Sequence, residues 1–368
     1  EIPVQYTRKQ IFEFAESELL AIENELKAPG TNEYGRVDRV AGWFLLARMY
    51  LNAQTWINEN KYQEAYTYAT KVIADGHYPL ASDYREIFLA DNNTCKEIIW
   101  PLVQDGLRAQ SSAGTNFYVK AFVNGPMDEL YKTGVGSRGW GNVRAKVSLV
   151  DAFDADDVMF DGNDTWGNNK KDKRAQFMTA LPNQVKDTWD VNMDMTSTFT
   201  CGYGYIKWRN VTKEDELSAS GDAYTSIDFP LFRTADAYLM AAEAILRGAS
   251  GTQSEALGYV NEVRTRAYMS GKYAKSGVRS DVSGEIGANE LDLDFLLLER
   301  QKELASELIR RTDLIRFGKY TKGNNWDWKN GVRLGEDVDD KYNLFPIPES
   351  ELTNNPTLVQ NDGYTVIK

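Results

Sequence analysis

Residues Asp228 to Gly271 read DFPLFRTADAYLMAAEAILRGASGTQSEALGYVNEVRTRAYMSG. Small residues (Ala235, Ala241, Ala242, Ala256) alternate with large apolar ones (Leu231, Tyr238, Leu239, Ile245, Leu257, Val260) at spacings that put a stripe on one face of each of two helices. The pattern predicts a helix from about Leu231 to Arg247, a Gly/Ser-rich turn, and a second helix from about Ser254 to Ser270. Such a hairpin leaves an outer face that must be covered by neighbours, so the chain is expected to contain further copies.

A copy lies upstream. From Arg36 to Gly76, Ala41, Leu45, Ala47, Tyr50 and Leu51 give a first helix its apolar face, and Ala65, Tyr66, Ala69 and Val72 a second. The unit resembles a tetratricopeptide pair, though its turn is longer than in the consensus of about 34 residues. A third pair is expected over Leu291 to Tyr320. The fold class is therefore mainly all-α: tetratricopeptide-like hairpins near 36–76, 229–271 and 291–320 forming an α-α superhelix with long loop excursions, in one domain over 1–368.

Elsewhere, Thr7 to Leu26 has a helical period with Thr7 as the N-cap, and Asp83 to Leu89 reads as a short helix. EIIWPLVQ after Cys95 and Tyr203 to Asn210 read as extended. Gln110 to Gly141, with six glycines and no sustained period, reads as a long surface loop, and Val143 to Phe153 as a helix. A long helix is expected from Leu291 to Ile309, and the proline-bearing C-terminal stretch as an extended strap without helical period.

The net charge of -12 disfavours nucleic acid and anionic membrane surfaces as partners, which need clustered Lys and Arg. Two cysteines, Cys95 and Cys201, are too few for a disulfide framework. No apolar run reaches membrane-spanning length, and EIPVQYTRKQ lacks the order of a secretory signal; the protein is cytosolic, or its targeting segment lies outside this chain. The single histidine, His77, rules out Ser-His-Asp, Cys-His and two-His metal chemistry within this chain.

Four stretches then carry a family resemblance: FPLFRTADAYLMAAEA (Phe229 to Ala244), ERQKELASELIRRTDLIRFG (Glu299 to Gly318), NLFPIPESELTNNP (Asn343 to Pro356) and QNDGY (Gln360 to Tyr364). In this order and spacing they make the chain resemble the SusD/RagB family, most strongly its starch-binding member. The family pattern starts with a lipoprotein signal and a further N-terminal part, so the sequence is expected to be a C-terminal portion, with the lipid anchor outside it. The resemblance implies a non-catalytic protein of the outer-membrane surface that binds oligo- or polysaccharide, starch being one candidate, and partners a SusC-like TonB-dependent transporter.

Carried over by residue, the resemblance assigns a sugar-stacking role to Trp140, between Gly139 and Gly141. A second stacking position falls on Ser112, which has no ring. Tyr118 and Phe117 share the Trp140 region and are secondary candidates for carbohydrate binding. The alternative for Trp140 is an anchor that pins its loop. Of the other tryptophans, Trp43 and Trp100 are assigned to the core, and at least one of Trp326 and Trp328 to burial against the helices.

Two readings outside this function stay open. Repeats alone would suit a tetratricopeptide-type scaffold for a protein or peptide. Glu299, Glu303 and Glu307 share a helix face, as a carbohydrate-active hydrolase could use; an ion-pair network with Arg300, Arg310 and Arg311 is the competing assignment. No catalytic residue, metal ligand or cofactor is assigned. Asp151, Asp154, Asp156, Asp157 and Asp161 could offer oxygen to Ca²⁺, but their spacing fits no EF-hand loop and a solvated acidic loop explains them.

Overall fold

Local chemistry sets the ends of the helices. In α1 (Arg8–Ile22), Thr7 and Gln10 form a reciprocal capping box. In α2 (Arg39–Ile57), Asp38 accepts from the amides of Val40 (3.0 Å) and Ala41 (3.2 Å), and the left-handed Asn58 stops the helix. Gly76, with φ of 72°, closes α3 (Tyr62–Asp75). A computed structural model describes residues 2–108, 110–123, 131–158, 170–179, 203–269, 283–323 and 326–365. Cys201 and Asp161 lie outside the described residues.

The chain continues through β1 (Ile98–Leu102), α4 (Thr115–Ala121), β2 (Phe177–Thr179), β3 (Tyr203–Tyr205), β4 (Phe229–Arg233), α5 (Thr234–Leu246), α6 (Gln253–Met269), α7 (Leu293–Leu304), α8 (Arg310–Arg316) and α9 (Glu349–Asn354). The expected hairpins are α2–α3 and α5–α6, and α3 packs against both α2 and α5. Ala65, Ala69 and Val72 of α3 share one buried cluster with Ala237, Met240, Ala241 and Ala244 of α5. Small side chains let the backbones approach, and each large neighbour fills the groove left beside them. A second cluster joins Leu239 and Ile245 of α5 to Val260 and Val263 of α6 and Leu296 and Leu304 of α7.

Several expected boundaries move. The helix expected from Leu231 starts at Thr234, because Phe229–Arg233 is a strand paired antiparallel with β1, with Leu102 opposite Phe229 and Ile98 opposite Arg233. Gln110 to Gly141 is not a surface loop throughout: it contains α4 and buries Val119, Val123, Tyr131 and Val135 in the core. Only Val147–Val150 of the helix expected over Val143 to Phe153 forms, since the Ala145 amide donates to the Tyr203 carbonyl (2.7 Å) and holds the preceding residues extended. The C-terminal strap carries α9. Asp157 is buried, accepting from the amides of Lys171 (2.6 Å) and Asp172 (3.0 Å), so this part of the acidic stretch is not a solvated loop. Trp43 and Trp100 are half-buried against the first cluster, their indole N–H groups donating to Glu23 and to the Gly35 carbonyl. Trp326 and Trp328 are both half-buried.

The long helix expected to Ile309 stops at Leu304, and Ser306 and Leu308 take left-handed backbone with φ of 62°. Cations explain the stop. Arg233 donates to the Glu303 carbonyl (2.7 Å) and Lys207 to that of Ala305 (2.8 Å), capping the exposed acceptors of the helix end. The turn that follows swings Glu307 inward onto Arg233 (2.6 Å) and Lys207 (2.5 Å).

Glu299, Glu303 and Glu307 are buried together with Glu97 and Asp172. Glu303 meets Arg233 (2.6 Å), Arg174 (3.1 Å) and Arg266. Glu299 meets Arg174 (2.6 Å) and Arg264 (2.6 Å), and Glu97 meets Arg233 (2.9 Å) and Arg266 (2.7 Å). The ion-pair assignment therefore holds, but the expected cations do not supply it: Arg300 pairs instead with Asp236 (2.8 Å) and Asp313 (2.8 Å), and Arg310 and Arg311 bond chiefly to carbonyls. All three glutamates are buried and ion-paired, which is not the sugar-facing arrangement of a hydrolase's carboxylates.

Burial by itself would raise the Glu303 carboxyl, but Arg266, Arg233 and Arg174 hold it far below its ordinary 4.5. Against a similar burial cost, Arg300 and Arg48 pull Asp236 from 3.8 to about 2. Both acids bind protons less readily folded than unfolded, so their contribution is complete above the unfolded-chain values. It is lost as pH falls through the folded ones. Chemical denaturation should show stability flat from about pH 5 to about pH 7 and falling steadily toward pH 2; a flat profile to pH 2 would remove these pairs from the account. Glu303→Gln leaves Arg233 and Arg266 undercompensated and should cost about 3–5 kcal/mol in the same measurement.

Candidate functional site

Trp140 sits on a strap built from the end of α4. The last carbonyls of a helix lack intrahelical partners. Here the amides of Trp140 (2.8 Å, to Lys120), Asn142 (2.9 Å, to Ala121) and Gly141 (2.7 Å, to Val123) fill that role. Gly141 bends the strap at φ of 60°, a conformation that costs a residue with a Cβ. The backbone is thus pinned while the indole remains 39% exposed. The anchor alternative describes the backbone of this residue rather than its ring.

Phe117, on the exposed side of α4, is 43% exposed, and its ring centroid lies 6.1 Å from that of Trp140 at 60° between planes. Tyr118 is half-buried: it stacks on Trp208 (5.4 Å, 30°), which stacks in turn on Phe229 of β4 (5.6 Å, 9°). Burial pushes the Tyr118 hydroxyl up from its ordinary value. Phe88 closes the column edge-on to Trp208 at 4.8 Å. Stacked and edge-on rings at these separations attract beyond their buried area, so the column fixes α4 against β4. The structure therefore brings Phe117 and Trp140 together on the surface and gives Tyr118 a place in the column beneath them.

Polar residues neighbour the two rings along the chain. Arg138 donates to Asp222 (3.1 Å) with both side chains accessible, and Asn142 and Ser112 are exposed. Lys120, behind the strap, is buried and donates to the Ala223 carbonyl; burial lowers its ammonium below the ordinary lysine value. Together these offer flat apolar faces flanked by donors and acceptors, as recognition of a sugar requires. Cys95 is buried and its thiol is pushed up to about 12, so it is no nucleophile at neutral pH. Among the described residues no group of three His, Cys, Asp or Glu could hold a metal, and no helix is long and apolar enough to cross a membrane.

The family model described as the SusD family matches residues 96–364. The chain belongs to the SusD family. The starch-binding protein SusD of Bacteroides thetaiotaomicron is 32% identical, over 99% of this chain and 67% of its own length. SusD-like protein P25 of Formosa agariphila is 25% identical, over 89% of this chain and 59% of its own. The fold matches a SusD-like protein from Bacteroides fragilis with a TM-score of 0.68 at 20% identity, covering 98% of this chain and 72% of that one. Surface glycan-binding protein A of Bacteroides thetaiotaomicron, solved with laminarihexaose, gives 0.67 at 22% identity, covering 97% and 72%. The chain thus spans between 59% and 67% of the length of these two curated relatives.

The sequence puts Phe117 and Tyr118 in the same region as Trp140; that Phe117 stands beside the indole while Tyr118 turns into the column follows from the fold. The signal for that contact was the small-residue strap itself, Gly139 and Gly141 either side of the indole. Because Trp140 keeps 39% of its surface exposed while Trp208 is buried, Trp140→Ala should cost only about 1–2 kcal/mol of unfolding free energy. Trp208→Ala, which empties the column, should cost about 3–5 kcal/mol. Urea denaturation of both variants checks the contrast; equal losses would mean the Trp140 ring is structural.

Proposed function

We propose that the chain is the glycan-holding part of a surface protein that captures oligo- or polysaccharide and delivers it to a SusC-like TonB-dependent transporter in the outer membrane. In this reading it does no covalent chemistry. A lipid anchor, in the same reading, holds the protein at the outer membrane. The observation that carries the reading is the exposed Trp140–Phe117 pair on a backbone-locked strap, in a family whose 32%-identical member is a starch-binding protein.

A pyranose presents an apolar C–H face that lies against an aromatic ring, while its hydroxyls need partners around the rim. Trp140 and Phe117 supply two ring faces inclined at 60° to each other, suited to a chain that curves from one sugar to the next. Arg138, Asp222 and Asn142 stand ready as hydroxyl partners. Each stack contributes about 1 kcal/mol by analogy with aromatic pairs, so affinity requires both rings and the polar rim together. Ser112, at the position where the resemblance expects a stacking ring, makes no such contribution, and the ring found beside Trp140 is that of Phe117. This substitution leaves the glycan class as the proposal and starch as one member of it.

Affinity electrophoresis against starch, laminarin and other neutral polysaccharides tests the reading. Retardation by at least one is expected, weakened about fivefold or more by Trp140→Ala and by a smaller factor for Phe117→Ala, following from about 1 kcal/mol per ring. Retardation that both variants leave intact would place the glycan elsewhere and overturn the proposal.

A further inference from the structure

Past Val143 the strap runs into a cavity of about 250 Å³. Phe122, Leu149 and Trp326 give it apolar walls. Arg144, Lys146 and Arg310 also line it, together with Gln301 and one acid, Asp313. Small-molecule sites commonly enclose about 300–1,000 Å³, so this one suits a single unit rather than a length of chain.

Its charge is unusual for this molecule. Arg300 also lines the cavity, but Asp236 and Asp313, each at 2.8 Å, neutralise it. Arg310 makes its bonds to neutral acceptors, the Leu297 carbonyl (2.8 Å) and Gln301 Oε1 (2.7 Å); the Asp313 carboxylate, which also lines the cavity and attracts it, is itself bonded to Arg300 (2.8 Å) and Arg316 (2.7 Å). Burial pulls Arg310 down to about 10. Lys146, at the exposed mouth, donates to the Asp327 carbonyl (2.5 Å). Burial lowers its ammonium, with only a partial offset from the Asp327 carboxylate nearby. A partly buried cation without a full counterion of its own is costly, and an incoming anion removes that cost. In a chain of net charge -12, Arg310, bonded to neutral acceptors, and Lys146, whose charge Asp327 offsets only in part, line one cavity beside an aromatic wall and mark a place for negative charge.

We propose that this cavity is an anion subsite, taking the carboxylate or sulfate of one acidic sugar unit while the apolar walls, Trp326 among them, contact its ring. The inference rests on the glycan reading above and narrows the ligand to glycans that carry acidic units. Trp140 and Arg144 are four residues apart on the strap, so their α-carbons are separated by no more than about 14 Å. One oligosaccharide can therefore lie on the Trp140–Phe117 pair and place a charged unit among Arg144, Lys146 and Arg310. Carboxylate and sulfate present the same anionic oxygens to these donors, and only binding distinguishes them.

Isothermal titration of the full chain with two matched pairs separates charge from shape: polygalacturonate against its methyl ester, and a sulfated galactan against its desulfated form. In at least one pair the acidic member should bind about fivefold to tenfold more tightly at low salt, as expected for charge-assisted hydrogen bonds. Added salt should narrow the gap. Lys146→Gln, at the exposed mouth, should close most of it and leave the neutral member unchanged; Arg144→Gln in addition should close the rest. Whichever pair shows the gap identifies the anion. Equal binding within both pairs, a gap that survives Lys146→Gln, or no binding of either acidic polymer overturns the inference. The platform reading fails separately, if Trp140→Ala leaves neutral glycan binding intact.

Discussion

The guanidinium of Arg233 is the point through which the rest of the molecule is tied. It stands on the last residue of β4, directly before α5, and meets Glu97 next to β1, Glu303 at the end of α7 and Glu307 in the turn beyond. Moving any of these elements would strand a buried charge, which costs far more than the pair gains by forming. The helical frame could tolerate sliding of one greasy face over another. The charge network cannot, because each carboxylate oxygen has its own donor at fixed geometry.

From that fixed point the site follows by packing. β4 presents Phe229 to the Phe229–Trp208–Tyr118 column, the column holds α4, and the end of α4 holds the strap with Trp140. The route from a buried ion network to an exposed ring is thus a series of contacts with little freedom at any step. Binding an extended ligand through few stacking faces depends on such preorganisation, since ordering the rings at the moment of binding would consume much of what each stack contributes.

The same frame accounts for what became of the glutamates on α7. Their spacing by four residues looks like a functional face, and in isolation it could have been one. In the fold that face looks inward at Arg174, Arg233, Arg264, Arg266 and Lys207. At the surface, the Trp140–Phe117 pair offers faces for stacking and the Arg138–Asp222 pair groups for hydrogen bonding.

The sequence by itself determined the helical hairpins, the Thr7 cap and the short helix after Asp83, because periodicity and capping act within a few residues. It also determined family membership, through motifs such as DLIRFG and FPIPES. Only the tertiary structure decided which arginines neutralise the α7 glutamates, since Arg174, Arg233, Arg264 and Arg266 come from distant parts of the chain while the sequence neighbours Arg310 and Arg311 turn elsewhere. It decided likewise that the α7 helix stops at Leu304, where cations from two other segments take its terminal carbonyls, and that Phe117 stands beside Trp140. Local sequence encodes the dihedral preferences and the pattern of polarity, but a contact between segments far apart is set by which buried charges and rings must be satisfied at once, and that condition exists only when the chain is folded.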